Sequence, residues 1–113
     1  MATENLFLKN AKENGLIDDR EIAMVADVVC TNGNQGRAFV FLNGSIMNFY
    51  EMAGFAAWGA HVETVDLKNA AFVKASSFPL YTYLKFTCQG HTYTLKGFAQ
   101  AKKVIAAITE SCG

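Results

Sequence analysis

Few side chains in this chain have the type and spacing that chemistry needs. His61 and Glu63, in "HVE", could serve as an acid–base pair, because residues i and i+2 of a strand share a face. They would still need a third group and a cleft, and a surface histidine at a strand start is the better account of His61. His91 falls at a hairpin end on the core-facing side, which suits a half-buried, hydrogen-bonded imidazole better than a ligand. Cys30, Cys88 and Cys112 lie far apart and have no C-x-x-C spacing. An odd, scattered set argues against a disulfide framework and a zinc site, and buried free cysteines behave as small hydrophobes. Cys112 is expected to be exposed. Ser76, Ser77 and Ser111 lack a neighbouring histidine motif, and G-x-S-x-G is absent. Gly33 and Gly36, in "NGNQG", complete neither a dinucleotide fingerprint nor a P-loop, and read as a flexible hairpin loop. No catalytic residue, metal ligand or cofactor is therefore implied, and the chain is not expected to be an enzyme.

Composition sets the frame for these residues. The chain has 113 residues, 51% hydrophobic and 18% charged, enough for one domain with its own core. Ten basic and ten acidic residues cancel, so no global field points to nucleic acid or to an anionic membrane. No charged-then-apolar leader and no apolar run of spanning length is read. With the unpaired cysteines, this gives an expectation of a cytoplasmic protein.

The elements follow from periodicity. Residues 3–14 read as a short helix, with Thr3 placed to cap it, Glu4 in its first turn and Gly15 at the left-handed C′ position. From Glu21 the period changes to two, and Ile22, Met24, Ala26, Val28 and Cys30 mark a strand. Asn43-Gly44 between apolar runs predicts a type I′ hairpin in which Leu42 faces Ser45, Val40 faces Met47 and Ala38 faces Phe49. One face then carries Ala38, Val40, Leu42, Met47 and Phe49, and the other Phe39, Phe41, Ile46 and Tyr50. A hairpin with one wet side should not be apolar on both, so the N-terminal helix or another chain must cover the second face. Phe39, Phe41 and Tyr50 are thus interface candidates.

"MAGFAAWGA", residues 52–60, shows no clear period and reads as a loop or single turn. Its Phe55 and Trp58 are further interface candidates. They could pack on the chain's own core, meet a protein, or dip into a bilayer, although no Lys or Arg flanks them as lipid insertion requires. Residues 61–67 and 69–77 read as two strands broken near Lys68-Asn69. Gln89-Gly90 predicts a second two-residue turn pairing Cys88 with His91, Phe86 with Tyr93 and Leu84 with Leu95. Leu84, Phe86, Cys88, Tyr93 and Leu95 would face inward, and Lys85, Thr87, Thr92 and Thr94 outward. After Gly97 the period becomes 3.6. Ala101, Val104, Ile105 and Ile108 form one stripe, with Lys102, Lys103 and Glu110 opposite.

Six or seven strands joined by short loops make a bent antiparallel sheet, or partly open barrel, which one terminal helix must plug. This order, carried by "REIAMVADV", "GRAFVFLNGSIMNFYEM", "VDLKNAAFVKASS" and "YLKFTCQGHTYTLKGFAQAKKVIAAI", resembles the pleckstrin-homology (PH) superfold, in particular small bacterial PH-like domains. The resemblance covers residues 19–110 of a single domain spanning 1–113, with residues 1–18 as a helical extension. It implies a mainly β, PH-like fold and a non-enzymatic interaction module that binds proteins or self-associates as a homo-oligomer. Relatives that bind inositol phosphates use several cations around the first hairpin. Residues 31–37 here hold only Arg37, which disfavours a phosphoinositide. The alternative is a small molecule or lipid in an apolar pocket under the C-terminal helix near His91 and Tyr93.

Overall fold

The computed structural model describes residues 6–54 and 57–113. Two helices and seven strands follow one another as α1 (Leu6–Glu13), β1 (Ile22–Cys30), β2 (Gln35–Asn43), β3 (Ile46–Gly54), β4 (Ala57–Asp66), β5 (Ala70–Phe78), β6 (Tyr81–Cys88), β7 (His91–Lys96) and α2 (Ala101–Ser111). A single 3-10 turn, Leu67–Asn69, joins β4 to β5. The strands form one antiparallel sheet in the order β4-β3-β2-β1-β7-β6-β5. The sheet bends around its core until its edge strands β4 and β5 are linked only by the 3-10 turn. Thr3 and Glu4, expected at the start of the first helix, lie outside the described residues, as does Phe55.

Alternation along β1 builds one wall of the core: Ile22, Met24, Ala26, Val28 and Cys30 are buried. The β6–β7 hairpin has the expected register, from Cys88 opposite His91 to Leu84 opposite Leu95. Gln89 and Gly90 both adopt positive φ, 50° and 81°, as a type I′ turn requires. Gly15 takes the left-handed conformation expected after α1, with φ 73°.

The β2–β3 hairpin differs from expectation. Asn43 pairs with Ile46, Leu42 with Met47 and Val40 with Phe49, so Gly44-Ser45, not Asn43-Gly44, forms the turn. Only Gly44 has positive φ, 59°, as in a type II′ turn. Tertiary contacts select this register. Asn43 Nδ2 donates to Gly15 O at 2.9 Å, holding Asn43 in the strand. Asp18 Oδ2 accepts from Gly44 N, and an Arg20 terminal nitrogen donates to Gly44 O, each at 2.8 Å. The slip amounts to two residues along β3, so every side chain keeps its predicted face.

Of residues 52–60, expected to be a loop or single turn, those described, 52–54 and 57–60, belong to β3 and β4. Met52 and Trp58 pair across β3 and β4, and successive register shifts interrupt that ladder. Each bulge inserts an unpaired residue and erases the two-residue period, which is why the strand character is hidden in the sequence. The break near Lys68-Asn69 is the 3-10 turn, with Asp66 capping it through Lys68 N at 3.0 Å.

The main core joins the inner faces of all seven strands to α2, which packs over β5, β6 and the 3-10 turn. Val104, Ala107 and Ile108 of α2 are buried, and Ala101 and Ile105 are partly so. Burial of each Val or Ile contributes about 1.5–3 kcal/mol, enough to hold a short helix against fraying. Ser111 Oγ donates to Gly44 O at 3.3 Å, tying α2 to the β2–β3 turn.

Candidate interaction surface

The aromatic face of β2 and β3 is covered by the chain itself. Phe39 and Phe41 are 4% and 0% exposed, in a second core with Ala11, Leu16 and Ile17, against which Phe7, Leu8, Tyr50 and Trp58 pack. Phe7 of α1 lies 5.2 Å from Phe39 and 5.9 Å from Phe41, and Trp58 meets Phe41 edge-on at 5.2 Å. Between the two covers the sequence left open, α1 is the one observed. Phe39 and Phe41 therefore do not form an exposed contact surface in this conformation. Tyr50 and Trp58 are half-buried rims of the same cluster.

The histidine–carboxylate pair is separated. Tyr50 aligns with His61 and Phe49 with Glu63, so Val62 is an extra residue that places His61 and Glu63 on opposite faces. His61 turns its edge to Tyr50, and its Nε2 lies 2.8 Å from Thr64 Oγ1 and 3.1 Å from Asn48 Oδ1. Glu63 turns to the open end of the barrel, where its carboxylate accepts from Asn32 Nδ2, Asn34 Nδ2 and the Tyr93 hydroxyl. Burial pushes the Glu63 carboxyl up, but the three donors outweigh it and hold the carboxyl below its ordinary value. Burial, reinforced by the Glu63 hydrogen bond, pushes the Tyr93 hydroxyl far upward. With its acceptor sites engaged, Glu63 functions as a strut between the β1–β2 loop, β4 and β7.

Near His91 and Tyr93, where the sequence places an apolar pocket, aromatic side chains pack together. Tyr93 is buried and stacked on Phe86 at 5.0 Å, with Phe49 at 6.1 Å. His91 is half-buried, with Nδ1 3.5 Å from Thr31 Oγ1. A recess of about 320 Å³ does touch α2, but at its N-terminal end, between Phe7, Phe39, Gly97 and Val104. Cys30 and Cys88 are buried and Cys112, expected to be exposed, is half-buried; burial raises the thiols of Cys88 and Cys112. Among the described residues no group of His, Cys, Asp and Glu is placed to hold a metal ion, and no helix is long and apolar enough to cross a membrane.

Apolar surface is concentrated instead on the β5–β6 hairpin. At its tip Leu80 is fully exposed, Phe78 is 76% exposed and Tyr81 63%. Phe78 pairs with Tyr81, Ser76 with Tyr83 and Lys74 with Lys85, while Lys85 pairs with Thr94 and Tyr83 with Lys96 on β7. These outward residues line a recess of about 240 Å³ bounded by Val29, Lys74, Tyr81, Tyr83, Lys85 and Lys96. The sequence placed Lys85, Thr87, Thr92 and Thr94 on this outer side but missed Lys74 and Lys96. A register shift between Phe72 and Lys74 leaves Val73 as an extra residue and hides the parity that brings Lys74 onto the face.

The similarity of this chain to known proteins lies in its backbone. No family model matches it, and no curated protein matches. Over 95% of its length it is similar to the solved structure described as the "apo structure of the activated truncation of Vav1", with a TM-score of 0.67 and 13% sequence identity, and it spans 32% of that chain. A likeness at so low an identity speaks for the fold alone. With the seven-stranded bent sheet and its C-terminal helix, it shows that the chain has a PH-like fold.

Proposed function

We propose that the chain is a non-enzymatic interaction module that binds another protein through the outer face of β5–β7 and the tip of the β5–β6 hairpin. The observation that carries this reading is the exposure of Phe78, Leu80 and Tyr81 together at one hairpin. Grouped aromatic and aliphatic residues left in water mark contact surfaces, and tyrosine is a common anchor in them. The PH-like fold supports a binding role without naming a partner. The separation of His61 from Glu63, and the engagement of both Glu63 carboxylate oxygens by donors, support a role without catalysis.

A homo-oligomer built on Phe39 and Phe41 would require α1 to leave its place. Pairing of two copies along β5 is opposed by charge, since an antiparallel pair centred on that strand sets Lys74 against its own counterpart. These features favour a different protein as partner. Panning a random peptide library on the immobilised protein tests the reading. Binders that are lost on Phe78→Ser or Tyr83→Ser, but kept on Lys103→Glu, are expected. A library that returns no binders, or binders indifferent to the hairpin variants, overturns it.

A further inference from the structure

We propose, resting on the docking reading above, that the partner presents an acidic polypeptide segment, with its carboxylates seated among Lys74, Lys85 and Lys96 and its larger side chains against Tyr81, Tyr83 and Val29. Three features of the face carry this inference. Lys74 stands directly opposite Lys85 in the ladder, an arrangement of like charges that destabilises a sheet when nothing lies between them. Among the described residues none of the three lysines has an ion-pair partner. The carboxylate closest in register, Asp27 opposite Lys96, is held by Arg37 at 3.1 Å. The lysines also border a recess rather than a flat field. A recess of about 240 Å³ admits a few side chains, and the Tyr81 and Tyr83 rings, 5.2 Å apart, give it an apolar wall against which they can pack.

The geometry favours a polypeptide over the other anionic partners. A bilayer is planar and cannot fill the recess. If the hairpin tip entered a bilayer, Lys85 would stand roughly 17 Å behind Leu80, five residues at about 3.3 Å each, with Lys74 beside it, and Lys96, opposite Tyr83, roughly 10 Å behind. Both distances exceed the Debye length of about 8 Å at physiological salt, so the lysines would add little attraction. A second copy would bring the same positive face against itself. An extended acidic segment meets all three lysines and both tyrosines at once, because its alternate side chains point to one side.

Fluorescence anisotropy with a fluorescein-labelled Glu-Ser-Tyr-Ser repeat peptide, whose Glu and Tyr side chains share one face when extended, beside its Lys-Ser-Tyr-Ser counterpart, tests the proposal. The acidic peptide is expected to bind and the basic one to fail. Binding should weaken as salt rises, fall about tenfold in the Lys74→Glu/Lys85→Glu double variant, and remain unchanged in Lys103→Glu. Lys74→Gln/Lys85→Gln, which removes charge without reversing it, should show a smaller loss in the same direction, with circular dichroism unchanged in both variants. No binding of the acidic peptide up to about 1 mM, indifference to the lysine variants, or stronger lysine-dependent binding to phosphatidylserine vesicles or to single-stranded oligothymidylate would overturn it. Library peptides without Asp or Glu that are still lost on Tyr83→Ser would sink the acidic partner and leave the docking reading standing.

Discussion

At the scale of single residues, two turns show how much one side chain can decide. Gln89 holds a φ of 50° in the β6–β7 turn, a conformation that asparagine tolerates better than glutamine. Gln89→Asn is expected to raise stability by about 0.5–1 kcal/mol, read as a higher urea midpoint with an unchanged denaturant slope. In the other turn the key side chain is remote in sequence. Asp18 accepts from the Arg20 guanidinium, from Arg20 N and from Gly44 N. The guanidinium hydrogen bond, aided by the two backbone donors and opposed by burial, holds the Asp18 carboxyl far below the usual carboxylate range. Its stabilising effect is complete above the unfolded-state value of about 3.9 and is lost as pH falls toward the depressed folded value. Wild type should therefore lose stability below about pH 5 more steeply than Asp18→Asn. Asp18→Ala should cost about 1 kcal/mol at pH 7, a figure kept small by partial exposure. Urea titrations at pH 7 and pH 3 check both.

At the scale of elements, α1 and α2 do similar work on opposite sides of one sheet. α2 plugs the main core, and Ile108→Ala is expected to cost about 2–5 kcal/mol, because its side chain is fully buried. α1 has only eight residues, so tertiary packing rather than propensity must hold it. It covers Phe39 and Phe41 and gives the hairpin its second dry face. Phe39→Ser and Phe41→Ser should consequently lower the thermal midpoint by more than about ten degrees without altering the oligomeric state, since they remove core contacts. A shift from oligomer to monomer in light scattering, with the midpoint preserved, would assign those residues to an intermolecular contact instead.

At the scale of the whole molecule, a zero net charge conceals a local polarity. Lys74, Lys85 and Lys96 come from three strands and meet only because β5, β6 and β7 are neighbours in the sheet. Charge sums over a sequence cannot report such a gathering, and neither can runs of like residues. Wild type is expected to scatter light as a monomer at high micromolar concentration, its aromatic face being sealed by α1 and its basic face repelling a second copy.

The sequence by itself determined the features that rest on local periodicity: the inward row of β1, the two faces of residues 38–42 and 46–50 in β2 and β3, the register of β6–β7, and the amphipathic stripe of α2. Alternation and turn chemistry act over a few residues and leave a readable pattern. Only the tertiary structure decided which two residues turn the β2–β3 hairpin, that residues 52–54 and 57–60 belong to paired strands, that α1 seals the aromatic face, and that three distant lysines share a recess. These outcomes depend on contacts across long stretches of chain, such as Asp18 and Arg20 gripping Gly44, and on bulges that erase the two-residue period where it was needed.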